Sequence, residues 1–401
     1  MVKEVVIVDA VRTPIGRYKG GLKNVRPDDL GAIVIKALVE RNPELNPNEI
    51  EEVIFGNANG AGEDNRNVAR MSALLAGLPV EVGGTTLNRL CGSGLDAVNY
   101  AARSIAVGDG DVFIAGGTES MTRAPFVTGK SESDYPRGNM TMYDTTIGWR
   151  FINPALDEMY GTDSMPQTAE NVAEQFNISR KEQDAFAYQS QQRAKQAMEE
   201  GKFANEIVPV SIKDRKGNVT VIHQDEHPRP ETSLEKLGTL KPLFRDGTVT
   251  AGNASGVNDG AAALLMMSAE KAKELGLKPL VKYKASAVAG IEPRIMGVGP
   301  IYATRKALSR ARLTIQDLGL VELNEAFASQ SLECIKQLEL DQEIVNVNGG
   351  SIAYGHPLGA SGARILTSLI YEMKKRHVQN GLATMCIGVG QGIATIVENI
   401  D

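Results

Sequence analysis

Tryptophan occurs once, histidine four times and cysteine three times in these 401 residues. Cys91, Cys334 and Cys386 are too few and too scattered for a disulfide framework, which suits a reducing compartment and points to the cytoplasm. The histidines offer no metal-ligand pattern: His223 and His227 stand in a polar, proline-rich loop, no CxxC or HExxH spacing occurs, and no metal is expected. A run of basic residues is missing too, and with a net charge of −6 and a pI near 5.5 a nucleic-acid partner is excluded. Long apolar runs are absent. The opening MVKEVVIVDAVRTP carries only Val5 to Val8 before Asp9, too short for a signal h-region or a membrane span, so it reads as a buried strand and no membrane partner is expected. The closing VENID carries no peroxisomal or retention signal.

What is abundant is glycine, 41 residues, in a chain long enough for two or three domains. The first stretch alternates: strand Val5–Val8, helix from Asp28 to Glu40, strand Val53–Phe55, helix Asn67–Leu75, strand near Thr85, helix after Cys91, strand Val112–Ala115. A second series starts near Leu280, with helices Ile301–Ala311, Ala326–Leu338 and Ala360–Lys375 between strands Leu320–Leu323, Ile344–Val347 and Leu382–Cys386. One constant shift carries Ile50, Phe55, Ser93 and Gly94 onto Leu318, Leu323, Ser361 and Gly362, so the chain reads as one βαβ-type unit used twice, with a site between the halves. Between them, Met121–Thr250 shifts to Met, Pro, Thr, Asn and charge and reads as an insertion. Its clearest element is a helix opened by a Ser179/Glu182 capping box, expected to lie as a solvated amphipathic lid.

Four stretches carry chemistry, three of them glycine-rich. NRLCGSGLDAV sets Cys91 at the mouth of a helix, where the dipole should lower the thiol's pKa and bare backbone frees amide hydrogens for an oxyanion. NGGSIAYGHPLGASGAR sets His356, fixed by Pro357, in the second-half counterpart of that loop. ELNEAFASQ presents the Asn324 amide at a strand end, able to hold a water or an oxyanion, and TMCIGVGQG puts Cys386 at another strand end, expected to face a cleft. Cys334, inside an amphipathic helix, reads as core. GASGAR is no dinucleotide fingerprint, since it follows HPL and no acidic residue closes the unit.

LCGSG, NASGVNDGAA, NEAFA, GGSIAYGHPLGASG and CIGVGQG, in that order, resemble the thiolase family across essentially the whole chain. The resemblance implies an α/β fold of two pseudo-symmetric βαβαβαββ halves packed as a layered αβαβα core, with an inserted loop domain. The first half would take 1–120 plus 251–278, the insertion 121–250, and the second half 279–401. It implies thiolytic cleavage of 3-oxoacyl-CoA or the reverse condensation. No cofactor would be bound permanently; coenzyme A and acetyl-CoA would be substrates, and the assembly a homotetramer, a dimer of dimers. Carried onto this chain, Cys91 would hold the acyl group, His356 would be its base, and Cys386 the acid and base at the substrate α-carbon. Asn324 would hold a water in one oxyanion hole, and the amides of Cys91 and Gly388 would form the other. Arg229, Phe244, Ser255, Met165, Ala326 and Phe327 would line the coenzyme A site.

Two positions depart from the family pattern: Val389 stands where a glycine is frequent, and Ser164 where biosynthetic members often carry histidine. With GEDNRNVARM, DTTIGWRF and DSMPQTAENVAEQF, they look most like members acting on 3-oxoadipyl-CoA. Acetoacetyl-CoA or general 3-oxoacyl-CoA members are the alternatives; a non-catalytic acyl-CoA-binding module is a remote one. A dicarboxylic acyl tail would need a cation, for which Arg123 and Arg150 are candidates.

Overall fold

A computed structural model describes residues 2–400. Its centre is a ten-stranded sheet in which the two halves of the chain use the same strand order. In the first half Gly83–Leu87, Glu52–Gly56, Val112–Ser120, Asn258–Ser268 and Val5–Arg12 lie side by side, with short Gly16–Arg17 pairing Asn258–Ser268. The second half continues with Val281–Gly290, Gln391–Asn399, Asn380–Ile387 and Leu320–Leu323. The halves join antiparallel at Val6 opposite Lys282 and Ile7 opposite Val281. Helices Pro27–Arg41 and Val68–Leu75 cover one outer face, and Gly299–Ala311 and Ala328–Gln337 the other. Helices Ser93–Val107 and Leu358–Arg376 fill the middle, which completes five αβαβα layers.

These inner helices touch the strands of both halves, so their apolar residues are buried nearly all round, as in Leu95, Val98, Ala101, Ile365, Leu366 and Leu369. They cross at their first turns through glycine. A methyl group on Gly94 would lie 2.6 Å from the Gly359 carbonyl oxygen, and one on the repeat-related Gly362 would lie 2.3 Å from the Leu95 nitrogen. Backbone therefore meets backbone, and the loops ahead of both helices are drawn to one place.

The strand expected at Ile344–Val347 does not form. Only Val345 bridges to Val321, after a 3-10 turn at Gln342–Ile344. Next to it Asn346, at φ 46°, uses its side chain in place of a strand: Leu323 N–H donates to its Oδ1 at 2.9 Å and its Nδ2 donates to the Leu323 carbonyl at 2.8 Å. The second half thus keeps four strands.

The insertion holds helices Pro154–Tyr160, Met165–Phe176, Arg180–Glu199 and Leu234–Thr239 and two small hairpins. Arg180–Glu199 begins with the expected capping box but is no solvated lid. Ala187, Ser190, Ala194 and Ala197 are small enough for it to seat on the second half, where Ser190 Oγ donates to Glu325 at 2.7 Å and accepts from Gly350 N at 3.0 Å. Buried Arg12 ties the insertion to the first strand through Glu206, at 2.6 Å, and Asp225, at 2.7 Å. No helix among the described residues is long and apolar enough to cross a membrane.

Gly362→Ala should lower stability by about 1–3 kcal/mol or more, because backbone atoms cannot yield to the added methyl. Gly238→Ala, with nothing within 4 Å, is the control and should leave the melting temperature level or raised. Equal melting temperatures for the two variants would contradict the glycine crossing.

Candidate active site

The turn before Cys91 is shaped by short side chains. Asn88 Oδ1 accepts from Leu90 N–H at 2.9 Å, and Leu90 takes a left-handed φ of 48°. Ser93 Oγ accepts from Arg89 N–H at 2.8 Å and donates to the Leu90 carbonyl at 2.6 Å. Cys91 itself lies in a 3-10 turn, Leu90–Gly92, and the helix starts two residues later at Ser93. The residue is half-buried, and its thiol is surrounded by protein. Burial pushes the thiol up to about 11; the backbone N–H groups of Gly388 and of Cys91 itself pull the other way, and the Glu119 carboxyl raises it further. The lowered pKa expected from the helix dipole is therefore not found. A dipole contributes about 0.3–1 kcal/mol at such a terminus, and removal from water outweighs it.

Across the interface, Gly355 at φ 95° has no room for a side chain, since a methyl would lie 2.3 Å from Asn258. Asn258 Oδ1 accepts from the His356 peptide N–H at 2.9 Å. His356 Nδ1 meets Ser361 Oγ at 2.6 Å, while that hydroxyl donates to the Pro357 carbonyl at 2.9 Å. With the serine hydrogen so used, Nδ1 carries the imidazole proton and Nε2 keeps its lone pair. Burial, then Arg364, holds the imidazole down at about 3, so the ring is neutral at physiological pH. Nε2 is buried with no hydrogen-bond partner.

Asn324 follows strand Leu320–Leu323 and is equally constrained. Its Oδ1 accepts from Ser351 Oγ at 2.6 Å, and that oxygen accepts from Arg364 at 2.6 Å, which turns the serine hydrogen toward the asparagine. The Asn324 Nδ2 is consequently a buried donor with no partner. An acceptor on His356 and a donor on Asn324, both unsatisfied, are what a reacting molecule or a water would complete.

Cys386 ends strand Asn380–Ile387 and is fully buried, not open to a cleft as expected. Met165, Ala169, Val249, Met296, Ala326 and Phe327 enclose it, several of them supplied by the insertion. Burial raises its thiol, and so does the charge of Cys91, which places the two sulfurs in each other's field. Cys334 is buried core, as expected, with its thiol 3.6 Å from the Gly297 carbonyl.

Of the residues read as a coenzyme A site, Met165, Ala326 and Phe327 gather around Cys386, and Ser255 joins them by donating its N–H to the Ala326 carbonyl at 2.9 Å. Phe244 is half-buried in a turn closed by Gly247 N–H at 3.1 Å, and Arg229 is exposed, its N–H bound to Gln191 at 2.8 Å. Arg123 is occupied: two of its nitrogens bind both Glu63 oxygens, at 2.5 and 2.6 Å. Arg150 makes a single side-chain hydrogen bond among the described residues, 3.3 Å to Asn59 Oδ1.

Sequence reasoning missed Glu119. It is buried in strand Val112–Ser120 and accepts from Ala58 N–H of the first half and Gly359 N–H of the second, both at 2.8 Å. Burial pushes its carboxyl up to about 7. Ser361 was missed as well, although the internal repeat had already aligned it with Ser93, and both serines brace a functional turn.

A thiol held near 11 should be alkylated slowly at neutral pH. The rate of Cys91 modification by iodoacetamide, followed by peptide mass, should climb about tenfold per pH unit from pH 6 to 9. A plateau reached near pH 7 would instead show a thiolate already formed.

Residues 5–270 match the thiolase N-terminal domain and residues 277–399 the thiolase C-terminal domain. The chain is 58% identical over 401 residues to the 3-oxoadipyl-CoA/3-oxo-5,6-dehydrosuberyl-CoA thiolase of Escherichia coli K12, covering 99% of this chain and 100% of that protein. It is 57% identical, at full coverage of both, to a beta-ketoadipyl-CoA thiolase of Pseudomonas aeruginosa. Among solved structures, an acetyl-CoA acetyltransferase of Bacillus anthracis superposes with a TM-score of 0.93 at 43% identity, covering 100% of this chain and 99% of that one. Human mitochondrial 3-ketoacyl-CoA thiolase does so with a TM-score of 0.93 at 40% identity, covering 99% of each. The fold agrees with these matches, and the chain belongs to the thiolase family.

Proposed function

We infer that this enzyme transfers acyl groups to coenzyme A through Cys91, and that 3-oxoadipyl-CoA is its 3-oxoacyl substrate, cleaved to acetyl-CoA and succinyl-CoA. Full-length identity of 55–58% to proteins named for that substrate carries the substrate assignment. The arrangement of the two thiols, the neutral imidazole and the unpaired amide supports the chemistry.

In thiolysis, the Cys91 sulfur attacks the C3 ketone carbon while its proton passes to His356 Nε2, and the C3 oxygen becomes an oxyanion. The N–H groups of Cys91 and Gly388, which also pull the thiol's pKa down, are the donors for that charge. Cleavage of the C2–C3 bond leaves the acyl group on Cys91 and an electron pair on C2 of the departing acetyl-CoA. Cys386 gives its proton to C2, and Asn324 Nδ2, through a water, stabilises the enolate oxygen. A coenzyme A thiol then gives its proton to the Cys386 thiolate and attacks the acyl-cysteine; the Cys91–acyl bond breaks as His356 returns its proton to the Cys91 sulfur, and the shortened acyl-CoA leaves the enzyme in its starting state. Both thiols begin protonated in this scheme, which their buried setting favours. Condensation runs the same steps backward.

The three free cysteines fit a cytoplasmic setting. A homotetramer is in keeping with the exposed apolar side chains Phe126, Met140, Met142, Ile147 and Phe151 of the insertion.

Cys91→Ala should give no acyl-enzyme with acetyl-CoA by intact mass. Cys386→Ala should still acylate but exchange the α-proton at least about a hundredfold more slowly. Loss of acylation in both would reject this division of labour. For wild-type enzyme, kcat/KM on 3-oxoadipyl-CoA should exceed that on acetoacetyl-CoA by about tenfold or more. The reverse order would make it an acetoacetyl-CoA thiolase.

A further inference from the structure

Strands Asn380–Ile387 and Gln391–Asn399 pair antiparallel, Ile387 opposite Gln391, so Gly388, Val389 and Gly390 form the tip of a hairpin. Val389 has φ 63° and Gly390 φ 80°. Two successive positive φ values are the sign pattern of a primed hairpin turn, which selects Asn, Asp or Gly. For a β-branched residue such a φ is a true outlier, since its branched carbon crowds the backbone in the left-handed region.

Burial does not offset that strain. Val389 is 40% exposed, and the hairpin would be relieved by glycine at no loss of core. Strain that the fold does not need, standing beside reacting groups, points to use. Its position is specific: a methyl built on Gly388, the residue before it, would lie 3.3 Å from Leu90, the neighbour of Cys91. Leu90 is also left-handed, at φ 48°.

The Val389 side chain faces a concavity that it lines together with Trp149, Met165, Thr168 and the Asp163–Arg294 ion pair. Met165 connects this concavity to the chemistry. It packs in the group around Cys386, and its sulfur would lie 3.6 Å from a methyl built on Gly388. The concavity therefore shares Met165 with the packing around Cys386, and its apolar wall is Val389, Met165 and Trp149. A group as short as acetyl needs no such wall, whereas an acyl chain continuing past C4 must lie against something.

Resting on the thiolase reading above, we propose that Val389 is a specificity-determining residue: its isopropyl group is the wall against which the methylenes of a longer 3-oxoacyl chain pack. The strained turn is kept because glycine there would leave the chain uncontacted.

The test compares wild type, Val389→Ala and Val389→Gly on acetoacetyl-CoA, 3-oxohexanoyl-CoA and 3-oxoadipyl-CoA. In Val389→Gly, kcat/KM should fall about tenfold or more for the two longer substrates and stay within about threefold for acetoacetyl-CoA, since two buried methylenes lose their contact. The melting temperature should hold or rise as the strain is released. Val389→Ala, which keeps a restricted backbone but loses most of the wall, should already show much of the selective loss. A uniform loss on all three substrates would overturn the proposal by showing that Val389 acts through the Gly388 backbone. Unchanged kinetics, or a lowered melting temperature with unchanged selectivity, would overturn it too. Acylation of Cys91 by acetyl-CoA is followed alongside by intact mass. Wild-type enzyme that takes no acyl group overturns the thiolase reading itself; acylated wild type with an unselective Val389→Gly overturns only the assignment of Val389.

Discussion

The contact on which the rest depends is the crossing of two helices at glycine. Ser93–Val107 and Leu358–Arg376 come from different halves of the chain, yet Gly94 abuts the Gly359 carbonyl and Gly362 abuts the Leu95 backbone. Helices usually pack 8–10 Å apart because side chains keep them there. Without side chains at the crossing, the loops bearing Cys91 and His356 come to a common place, and Glu119 bonds across it to Ala58 of one half and Gly359 of the other. The two halves of the sheet hold the pair, so the loops of the active site are anchored in the buried core.

That placement sets the protonation states. In water a cysteine and a histidine could form a thiolate and an imidazolium; here the charged form of each is disfavoured by burial. The resting site is neutral, with polar atoms left over: Nε2 of His356 and Nδ2 of Asn324. Charge at these groups arises only when substrate arrives, and polar atoms held in place by the fold need little reorganisation to meet it. Ser361 and the Ser351–Arg364 pair fix which atom of the imidazole and which atom of the amide face the reaction.

Three stretches of the chain close the site, and one of them is the insertion. Met165 and Ala169 cover Cys386, and Arg180–Glu199 is bolted to the second half through Ser190 and Glu325. An element that looked like a surface lid by its polar composition is thus structural. Its alanines and serine were the sign: they make a poor apolar stripe but a close-fitting one.

Much was determined by sequence alone. The alternation of apolar runs, the repeat that maps Ser93 and Gly94 onto Ser361 and Gly362, and the glycine-flanked Cys91, His356, Asn324 and Cys386 are local patterns, and local patterns specify strands, helices and the residues at their ends. What tertiary structure decided depends on neighbours distant in the chain. The strand expected at Ile344–Val347 yielded to the Asn346 side chain, which takes up both the N–H and the carbonyl of Leu323. The thiol of Cys91 rose where the helix dipole alone would have lowered it, and Cys386 vanished beneath Met165 and Phe327, because burial is a property of the packed molecule and not of a motif. Glu119 has no motif around it; its importance comes from two amides, of Ala58 and Gly359, that only folding brings within 2.8 Å of one carboxylate oxygen.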